Sequence, residues 1–424
     1  MRELKVYIEI QGNMRYAGII KGESFRDAVF SYDKEYVSSS YGAPISISLP
    51  FGEEFFDVDK TKHFYESLLP EGFSRRAVAE WIKTDENDYL TILSVLGREC
   101  LGAIKIVEGE DDAPGHYVKL SKKQVKELAA EGATRSTKIL METHLSLTGA
   151  SGKVGLFYDD KKDSWYLPKG DAPSTHIVKQ SHVRLKQIVL NEQLSMLTAK
   201  KMGIDVPESF IINIGSGKDE DVLLATKRYD RISDKGRVID GFCAPIRLHQ
   251  EDFAQALNIP SDKKYEKTLS GYMRKMFELL RSHSSNPIED QRKLSERIIF
   301  NYLIGNTDSH IKNFALLYDK DLRSIRLAPA YDIVAARVYD TTSEMSFYIA
   351  DKLNIDEISR ESFIMAADEI GVGRRFMEKA FDDSLEKFEK ALDEATREII
   401  EQGFKNAKKL SDKIKKTGGY ERCV

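Results

Sequence analysis

Apolar and polar residues alternate in the first part of the chain, which is the pattern of half-buried β-strands. The alternation runs from Val6 to Ile10, a Gly12-Asn13 turn follows, and apolar positions resume at Tyr16, so we expect a hairpin over residues 4–20. The same alternation between Pro44 and Pro50 predicts another short strand. Helical periodicity follows, with helices predicted near residues 60–68, 73–83 and 88–96 and a strand at 103–107.

An acidic, breaker-rich stretch at residues 109–115 indicates a boundary between two domains, with a surface loop inside one domain as the alternative. A helix is predicted from Ser121 to about residue 131. One long amphipathic helix is predicted at residues 187–202, and it ends at Gly203, which suits a left-handed conformation. The rest of this region reads as strands, predicted at residues 154–158, 165–167, 175–179, 208–214 and 222–228.

From about residue 245 the apolar period changes to that of helices. Helices are predicted near residues 249–257, 265–283, 287–304, 360–370 and 373–402, and a hairpin of residues 314–318 and 325–327 interrupts them. The pattern therefore predicts a β-rich module at residues 1–110, an α+β lobe at residues 111–245 and a mainly helical lobe at residues 246–424.

Composition narrows the class of protein. The chain has 424 residues, 41% of them hydrophobic and 31% charged, which is typical of a folded chain with more than one domain. A formal net charge of −4 disfavours coating of nucleic acid by bulk charge. Three widely spaced cysteines make a disulfide framework improbable, and the chain contains no apolar run of membrane-spanning length. These features predict a cytoplasmic protein.

A polar cluster directly after an apolar helix is the most informative segment of the chain. Gly305 is predicted to end that helix, so residues 306–313 form a loop that carries Asp308 and Asn313. Phosphoryl transfer requires a group that accepts the proton of the attacking hydroxyl, together with oxygen ligands for Mg²⁺. Asp308 and Asn313 have the spacing of a loop that supplies such a base and a metal-binding amide.

A second carboxylate, Asp332, follows the predicted hairpin and can supply a further metal ligand. His310 and Lys312 lie on the same loop as Asp308, from which they can contact phosphates. The alternative is that Asp308 and Asn313 only close a turn, because Asp, Asn and Gly are common in turns. The ordered set of Asp, Asn and a distant Asp is less easily accidental, and it predicts a phosphotransferase site.

Two upstream segments offer candidate phosphate-binding groups. A kinase-type site uses a lysine from a sheet strand that a helical glutamate holds in place. Lys179 ends a predicted strand and Glu192 lies on the next helix, although a solvated lysine and a surface glutamate are the alternative. Small residues between Ser146 and Val154 predict a phosphate-binding turn. The segment is not a Walker A motif, and a plain glycine-rich turn is its alternative.

In order, and over nearly the whole chain, these segments resemble the HipA-type serine/threonine kinase toxins of bacterial toxin–antitoxin modules. The resemblance is most specific in Arg247-Leu-His-Gln-Glu-Asp252, in Lys264-Tyr-Glu266, and in residues 303–314 and 329–332. Looser similarity is found at residues 146–156, 175–179 and 225–231 and, in the N-terminal module, at residues 46–50, 68–70 and 96–102. The resemblance implies an α+β, protein-kinase-like bilobal fold with an extra β-rich N-terminal subdomain and a mainly helical C-terminal lobe.

The resemblance also implies roles for individual residues. Asp308 would be the catalytic base, Asn313 and Asp332 the Mg²⁺ ligands, and Ser146 is similar to the serine that the family autophosphorylates. The residues implied to bind ATP are Thr148, Gly149, Ala150, Ser151, Gly152, Lys153, Lys179, Lys227, Arg228, Tyr229, His310, Lys312, Asn313, Tyr331 and Asp332. Two positions depart from the family pattern. Ser151-Gly152 lies where the family usually has Gln followed by an acidic residue, and Lys227 lies where an acidic residue is common.

The implied function is a toxin that phosphorylates a translation component such as an aminoacyl-tRNA synthetase. The implied partners are a HipB-like helix-turn-helix antitoxin and, through it, operator DNA. Two alternatives stay open. One is a small-molecule or lipid kinase, which the lack of a basic amphipathic segment disfavours. The other is a catalytically weak corepressor bound to the antitoxin. In such a complex the lysine-rich residues 405–416 could contact DNA phosphates, and the alternative for this segment is a solvated surface helix.

Overall fold

The computed structural model of the protein describes residues 1–109, 114–121, 124–125, 153–180 and 185–424. Ser146 to Gly152 and most of the helix predicted from residue 121 lie outside these residues. The chain divides into two compact units, which are described separately below. Unit 1 consists of Met1–Val183, Ile212–Ser261 and Leu317–Ser324, and unit 2 consists of Arg184–Ile211, Asp262–Leu316 and Ile325–Val424. The predicted boundary near residue 245 falls inside unit 1, and the three predicted domains remain a prediction.

An antiparallel sheet of four strands opens unit 1, in the order β3-β2-β1-β4. Its strands are β1 Arg2–Ile10, β2 Asn13–Gly22, β3 Val29–Tyr32 and β4 Ile104–Glu108. The predicted hairpin is thus confirmed, because the alternating Leu4, Val6 and Ile8 are fully buried. Four helices connect β3 to β4, namely α1 Lys34–Ser38, α2 Val58–Glu66, α3 Gly72–Ile82 and α4 Tyr89–Leu96.

The strand predicted between Pro44 and Pro50 is wrong, since this segment forms turns. The Ser48 N–H donates to the Ser46 hydroxyl at 3.1 Å, and the Leu49 N–H donates to the Ser46 carbonyl at 3.1 Å. Serine hydroxyls that bond to nearby backbone groups compete with strand pairing. The local bonds of Ser46 therefore override the apolar alternation of its neighbours.

The second sheet of unit 1 contains antiparallel strands in the order β5-β7-β6-β8-β10. Their bounds are β5 His116–Lys119, β6 Lys153–Asp159, β7 Ser164–Lys169, β8 His176–Gln180 and β10 Val222–Lys227. The strand β9 spans Ser209–Asn213, across the limit between the two units. Four of these strands were predicted from sequence within two residues, and β5 was not.

A hairpin that sequence reasoning missed follows the second sheet. Strand β11, Arg231–Ile239, pairs with β12, Phe242–Arg247, in antiparallel register. Asp240 and Gly241 connect them with φ values of 49° and 80°. Positive φ at both central residues is what a tight hairpin turn requires, and Asp-Gly is a strong sequence signal for it.

The helix predicted at residues 249–257 is only partly correct. Strand β13, Gln250–Asp252, comes first, and helix α6 is limited to Phe253–Ala256. Asp252 and Gln255 form a capping box, in which each side chain bonds to the backbone N–H of the other residue at 2.9 Å. The capping box fixes the helix start at Phe253 and leaves the preceding residues extended.

Unit 2 is mainly helical. Its helices are α5 Ile188–Lys201, α7 Tyr272–His283, α8 Pro287–Ile304, α9 Arg360–Ile370, α10 Arg374–Glu401 and α11 Ala407–Thr417, and its short strands are β15 Ile325–Leu327, β16 Glu344–Ile349 and β17 Lys352–Asn354. Strand β14, Ala315–Tyr318, spans the limit between the units. In the residues that the structure covers, no helix has both the length and the apolar character needed to cross a membrane.

The helix predicted from residue 265 begins seven residues later than expected, at Tyr272. Gly271 adopts a left-handed conformation with φ 74°, which separates the helix from the preceding segment. In that segment the buried Glu266 accepts hydrogen bonds from the backbone N–H groups of Ser270 at 2.6 Å and Tyr272 at 3.1 Å. Glu266 therefore caps the first turn of α7 from outside the helix.

Candidate active site

The polar loop after α8 begins where the sequence predicts. Helix α8 has Asn286 as its N-cap and Pro287 in its first turn, and it ends at Gly305 with φ 75°. A Cβ atom at this position would lie 3.1 Å from the Gly418 Cα and 3.2 Å from the Arg337 Cβ. Both the backbone conformation and the space therefore require glycine here, and the chain leaves the helix in a fixed direction.

Within the loop, the side-chain amide of Asn313 donates a hydrogen bond of 2.8 Å to the backbone carbonyl of Asp308. The His310 N–H donates to the same carbonyl at 2.9 Å, and the Asn313 N–H donates to the His310 carbonyl at 2.7 Å. A short 3₁₀ turn at Ile311–Asn313 completes the loop. The structure thus brings Asp308 and Asn313 together, as their spacing suggested. Asp308 is exposed, while the side chains of His310 and Lys312 are buried.

Neighbouring elements of unit 2 hold this loop in place. The Ser346 hydroxyl on β16 donates to the Thr307 carbonyl at 2.9 Å, and the Tyr331 hydroxyl donates to the Lys312 carbonyl at 2.8 Å. Tyr331 therefore supports the loop through its hydroxyl, next to the predicted ligand Asp332. Ser346 is in turn bonded to Glu266, whose N–H donates to the Ser346 carbonyl at 2.9 Å.

Asp332 lies directly after Tyr331, and its backbone is left-handed with φ 56°. Its half-buried carboxylate and the amide oxygen of Asn313 are hard oxygen donors. Because the Asn313 nitrogen is engaged with Asp308, its side-chain oxygen is the atom suited to a cation. Mg²⁺ is commonly bound by one or two protein oxygens together with substrate phosphates, so the donor chemistry of these two residues fits Mg²⁺.

In unit 1, the structure places the two candidate phosphate-binding lysines side by side. Lys153 on β6 is the direct cross-strand partner of Lys179 on β8. Directly opposed residues of antiparallel strands project from the same face, and two positive charges there repel unless anions lie close to them. The turn lysine and the strand lysine thus lie opposite each other on one face of the sheet. Glu192 is buried on α5 in unit 2, and its predicted pairing with Lys179 stays a prediction.

Residues 225–231, which resemble the hinge of the family, are anchored from their middle residue, Arg228. The N–H of Arg228 donates to the Thr175 carbonyl at 2.9 Å, and its guanidinium is buried. Lys227 is exposed, and Tyr229 donates its hydroxyl to the Gln250 side chain. The Arg228 side chain is therefore committed to the interior of unit 1, and Arg228 can meet a nucleotide only through its backbone.

The Arg228 guanidinium belongs to a buried ion network that sequence reasoning missed. Arg228 contacts Glu99 at 3.2 Å and Asp230 at 2.7 Å, and Arg231 contacts Glu99 at 2.9 Å. Arg247 bridges Glu99 at 2.7 Å and Glu9 at 3.0 Å. The network unites three segments that resemble the family, and Glu99, Arg228 and Arg247 are each less than 5% exposed. The segments that resemble the family therefore contain charged residues that stabilise the fold, as well as candidate site residues.

Electrostatics within this network favours the ionised forms of Glu99 and Arg247. Burial acts to raise the pKa of Glu99, but Arg247, Arg231 and Arg228 outweigh it, and the pKa is lowered overall. Burial likewise acts to lower the pKa of Arg247, while Glu99 and Glu9 raise it. Three carboxylates, Glu9, Glu99 and Asp230, face three buried guanidinium groups, and the partly exposed Arg237 adds a contact with Glu9 at 2.8 Å.

Family models match most of the chain. A model described as the HipA N-terminal domain matches residues 8–107, and one described as the HipA-like C-terminal domain matches residues 145–392. The second alone covers more than half of the 424 residues.

Curated relatives extend over nearly the same region. A putative kinase of Sinorhizobium fredii, Y4mE, is 30% identical over 400 residues, which is 90% of this chain and 91% of the relative. The serine/threonine-protein kinase toxin HipA of Shewanella oneidensis is 25% identical over 382 residues, 87% of this chain and 83% of the toxin.

A solved structure shares the fold. HipA in a complex of Shewanella oneidensis HipA, HipB and operator DNA matches with a TM-score of 0.77 at 22% identity, over 99% of this chain and 97% of that one. This match confirms the expected α+β, protein-kinase-like fold. Together with the two family models and the relatives, it shows that the chain belongs to the HipA family of kinase toxins.

Proposed function

We propose that this protein is an ATP- and Mg²⁺-dependent serine/threonine protein kinase that acts as the toxin of a toxin–antitoxin module. The observation that carries the proposal is the loop in which the Asn313 amide is bonded at 2.8 Å to the backbone of Asp308. This bond holds the Asn313 amide against the backbone of Asp308, so that a candidate proton acceptor and a candidate metal-binding amide lie on one ordered loop, the combination that a protein kinase uses for phosphoryl transfer.

In the proposed reaction, the hydroxyl oxygen of the acceptor serine or threonine forms a bond to the γ-phosphorus of ATP. The bond from that phosphorus to the bridging oxygen breaks, and ADP leaves with the electron pair. The carboxylate of Asp308 accepts the proton of the attacking hydroxyl. Since charge develops on phosphate oxygens, catalysis depends mostly on positioning and on cations around them.

Cations are required around the transferred phosphate. Lys153, Lys179, His310 and Lys312 are the residues proposed to contact the phosphates of ATP. Mg²⁺ held by Asn313 and Asp332 would neutralise phosphate charge. The backbone of Lys227 to Tyr229 would contact adenine, and the residues from Thr148 to Gly152 would lie over the phosphates.

Phosphoryl transfer from labelled ATP tests the proposal. Full-length protein is incubated with Mg²⁺ and ATP labelled at the γ-phosphate, and label is measured in the protein itself and in added dephosphorylated casein. Asp308→Asn should lower the rate by at least about 100-fold, because the proton acceptor is lost. Asp351→Asn, which removes an exposed carboxylate beside Lys352, should keep the rate. An Asp308→Asn variant as active as wild type would contradict the assignment.

Autophosphorylation near Ser146 would switch the kinase off. A phosphate there adds about −1.5 to −2 charges, which compete with ATP for Lys153 and Lys179. Peptide mass spectrometry after incubation with Mg-ATP should locate phosphate within residues 146–151 in wild type and not in Asp308→Asn. A Ser146→Asp variant should bind ATP weakly. Normal ATP binding by that variant would count against this switch.

The proposed partner is a HipB-like helix-turn-helix antitoxin, because the related HipA structure is a complex with HipB and operator DNA. The proposed substrate is a translation component such as an aminoacyl-tRNA synthetase. Co-purification with the antitoxin, and operator binding that requires the antitoxin, would support the partnership. A complex with the antitoxin that binds operator DNA, but whose HipA-type subunit transfers no phosphate even after release from the antitoxin, would favour the corepressor instead.

A further inference from the structure

A tyrosine side chain touches the carboxylate on which the proposed reaction depends. The hydroxyl of Tyr265 donates a hydrogen bond of 2.6 Å to Oδ1 of Asp308. Both residues belong to unit 2, and Tyr265 is 39% exposed. A hydroxyl–carboxylate bond of this length is charge-assisted, and such bonds are about twice as strong as bonds between neutral groups.

Asp308 needs such a contact because its backbone and its side chain are held differently. The backbone carbonyl accepts bonds from Asn313 and His310, but Asp308 itself is exposed. Rotation about two side-chain bonds would change the direction of the carboxylate plane. Fixing Oδ1 orients that plane, and so it orients the lone pairs that receive the proton of an acceptor hydroxyl.

Tyr265 is itself held on both sides along the chain. The carbonyl of Lys264 accepts a bond from the Ile311 N–H of the loop at 3.4 Å. On the other side, the buried Glu266 accepts bonds from the N–H groups of Tyr272, at 3.1 Å, and of Tyr348, at 3.0 Å. A phenol between two such anchors has a defined position relative to the loop.

The ring of Tyr265 adds a further constraint. It lies edge-on to the His310 imidazole, with ring centroids 5.2 Å apart and an interplanar angle of 87°. This T-shaped arrangement is a favoured geometry of aromatic pairs. Ring and hydroxyl therefore have separable roles, since the ring packs on the loop and the hydroxyl contacts the carboxylate.

We infer that Tyr265 is a positioning residue for phosphoryl transfer, which orients the Asp308 carboxylate through its hydroxyl. This inference rests on the proposed kinase function. It assigns a role to Tyr265, the middle residue of the Lys264-Tyr-Glu266 segment. Glu266 contributes to this role indirectly, because it fixes the position of the segment. The hydroxyl acts on the turnover step, and it has no part in binding the nucleotide.

The test separates the hydroxyl from the ring. Tyr265→Phe keeps the ring beside His310 and removes the bond to Asp308. With dephosphorylated casein as acceptor and Mg-ATP as donor, we expect kcat to fall by about 10- to 100-fold. The KM for ATP and the affinity for a fluorescent ATP analogue should stay within about twofold of wild type. Tyr272→Phe is the matched control, since it removes a hydroxyl that donates to the Lys263 carbonyl at 2.7 Å in the same segment.

The possible results are distinguishable. A wild-type protein that transfers no phosphate to itself or to casein would overturn the kinase proposal and this inference with it. If wild type is active and Tyr265→Phe keeps its kcat, only the role of Tyr265 is overturned. Equal losses in Tyr265→Phe and Tyr272→Phe, or a KM for ATP that rises with the loss of kcat, would indicate general disturbance of the segment and would also overturn it.

Discussion

Asp332 has a backbone φ of 56°, in the left-handed region that costs an L-residue roughly 1–2 kcal/mol. Asp and Asn tolerate this conformation better than other residues with side chains, because their short polar groups bond locally. A glycine would relieve the strain but would remove the carboxylate. The cost is therefore consistent with a need for a charged oxygen donor at this position.

We predict that Asp332→Asn, which keeps the backbone preference and removes the charge, weakens Mg²⁺-dependent nucleotide binding by about tenfold or more. Binding measured calorimetrically without Mg²⁺ should change little. Asp340→Asn is the matched control, because Asp340 is also left-handed, with φ 52°, and its exposed side chain contacts Lys413. Equal binding by the Asp332 and Asp340 variants would contradict the metal role.

Glu251 illustrates a buried carboxyl that the sequence does not reveal as unusual. It is fully buried, and it accepts bonds from the Ser46 hydroxyl at 2.5 Å, the Ile47 N–H at 3.1 Å and the Tyr318 hydroxyl. Burial raises the pKa of Glu251 from 4.5 to about 7, although these three bonds act to lower it. The carboxyl that fixes the segment between Pro44 and Pro50 therefore titrates near neutral pH.

The folded-state pKa of Glu251 lies above the unfolded value, so protonation favours folding. The stabilisation is fully present below pH 4.5 and is lost as the pH rises through 7. We predict that wild type loses roughly 2 kcal/mol of stability relative to Glu251→Gln between pH 5.5 and pH 8.5. Thermal unfolding midpoints of both proteins across this range would show it. Parallel pH profiles would contradict it.

At the level of elements, the antiparallel pairing of β6 and β8 determines where the proposed phosphate site lies. The register places Lys153 opposite Lys179, and a shift by one residue would turn one of the two lysines to the other face. Neighbouring Val154 and Val178 are also directly opposed, and both are fully buried. Burial of this valine pair specifies the register, and the register specifies the distance between the two lysines.

We predict that Lys153→Ala and Lys179→Ala each weaken ATP binding, by about tenfold or more, and that the double variant loses less than the sum of the two free-energy changes. Two side chains that bind the same phosphates depend on each other, which makes their effects non-additive. Fluorescence titration with an ATP analogue measures the four affinities. Lys169→Ala, at the end of β7, serves as a control on the same sheet. Strict additivity would contradict a shared phosphate site.

Elements differ in how well the sequence predicts them, and the reason is local. Helix α8 was predicted with its observed bounds, because Asn286, Pro287 and Gly305 are capping signals carried by the chain itself. The start of α7 was missed, because the buried Glu266 accepts bonds from the N–H groups of Ser270 and Tyr272, which lie on either side of Gly271. A cap provided from outside the helix in this way leaves no periodic pattern in the sequence. The Asp240-Gly241 turn, by contrast, was a local signal that was overlooked.

At the level of the whole molecule, part of the candidate site was predictable and part was not. The spacing of Asp308 and Asn313 indicated the site loop, since five residues of chain suffice to bring these groups together. The contact of Tyr265 with Asp308 joins residues that are 43 positions apart, and spacing alone does not indicate it. Arg228 was expected to meet the nucleotide through its backbone, which stays a prediction. The place of its side chain in the ion network was not predicted, because burial depends on the complete fold.

We predict that Glu99→Gln destabilises unit 1 by about 3–5 kcal/mol, because it leaves buried guanidinium groups without full compensation. The free energy of unfolding in urea, followed by tryptophan fluorescence, would measure this. Glu108→Gln is the matched control: its ion pair with Arg2 is partly exposed, and loss of such a pair costs at most about 1 kcal/mol. Similar stabilities of the two variants would contradict the importance of the network.

The ion network has a consequence for a chain that is interrupted. Glu9 and Glu99 precede residue 110, whereas Arg228, Arg231 and Arg247 follow it, and their bonds need no covalent link between the two segments. Cleavage between residues 109 and 114 should yield fragments that remain associated and co-elute until denatured. A fragment that begins at residue 114, made alone, would leave the buried Arg247 without either of its carboxylate partners, and it would leave Arg228 and Arg231 with Asp230 alone. It should fold only when its missing N-terminal counterpart is supplied, as in complementation between the halves of a split protein.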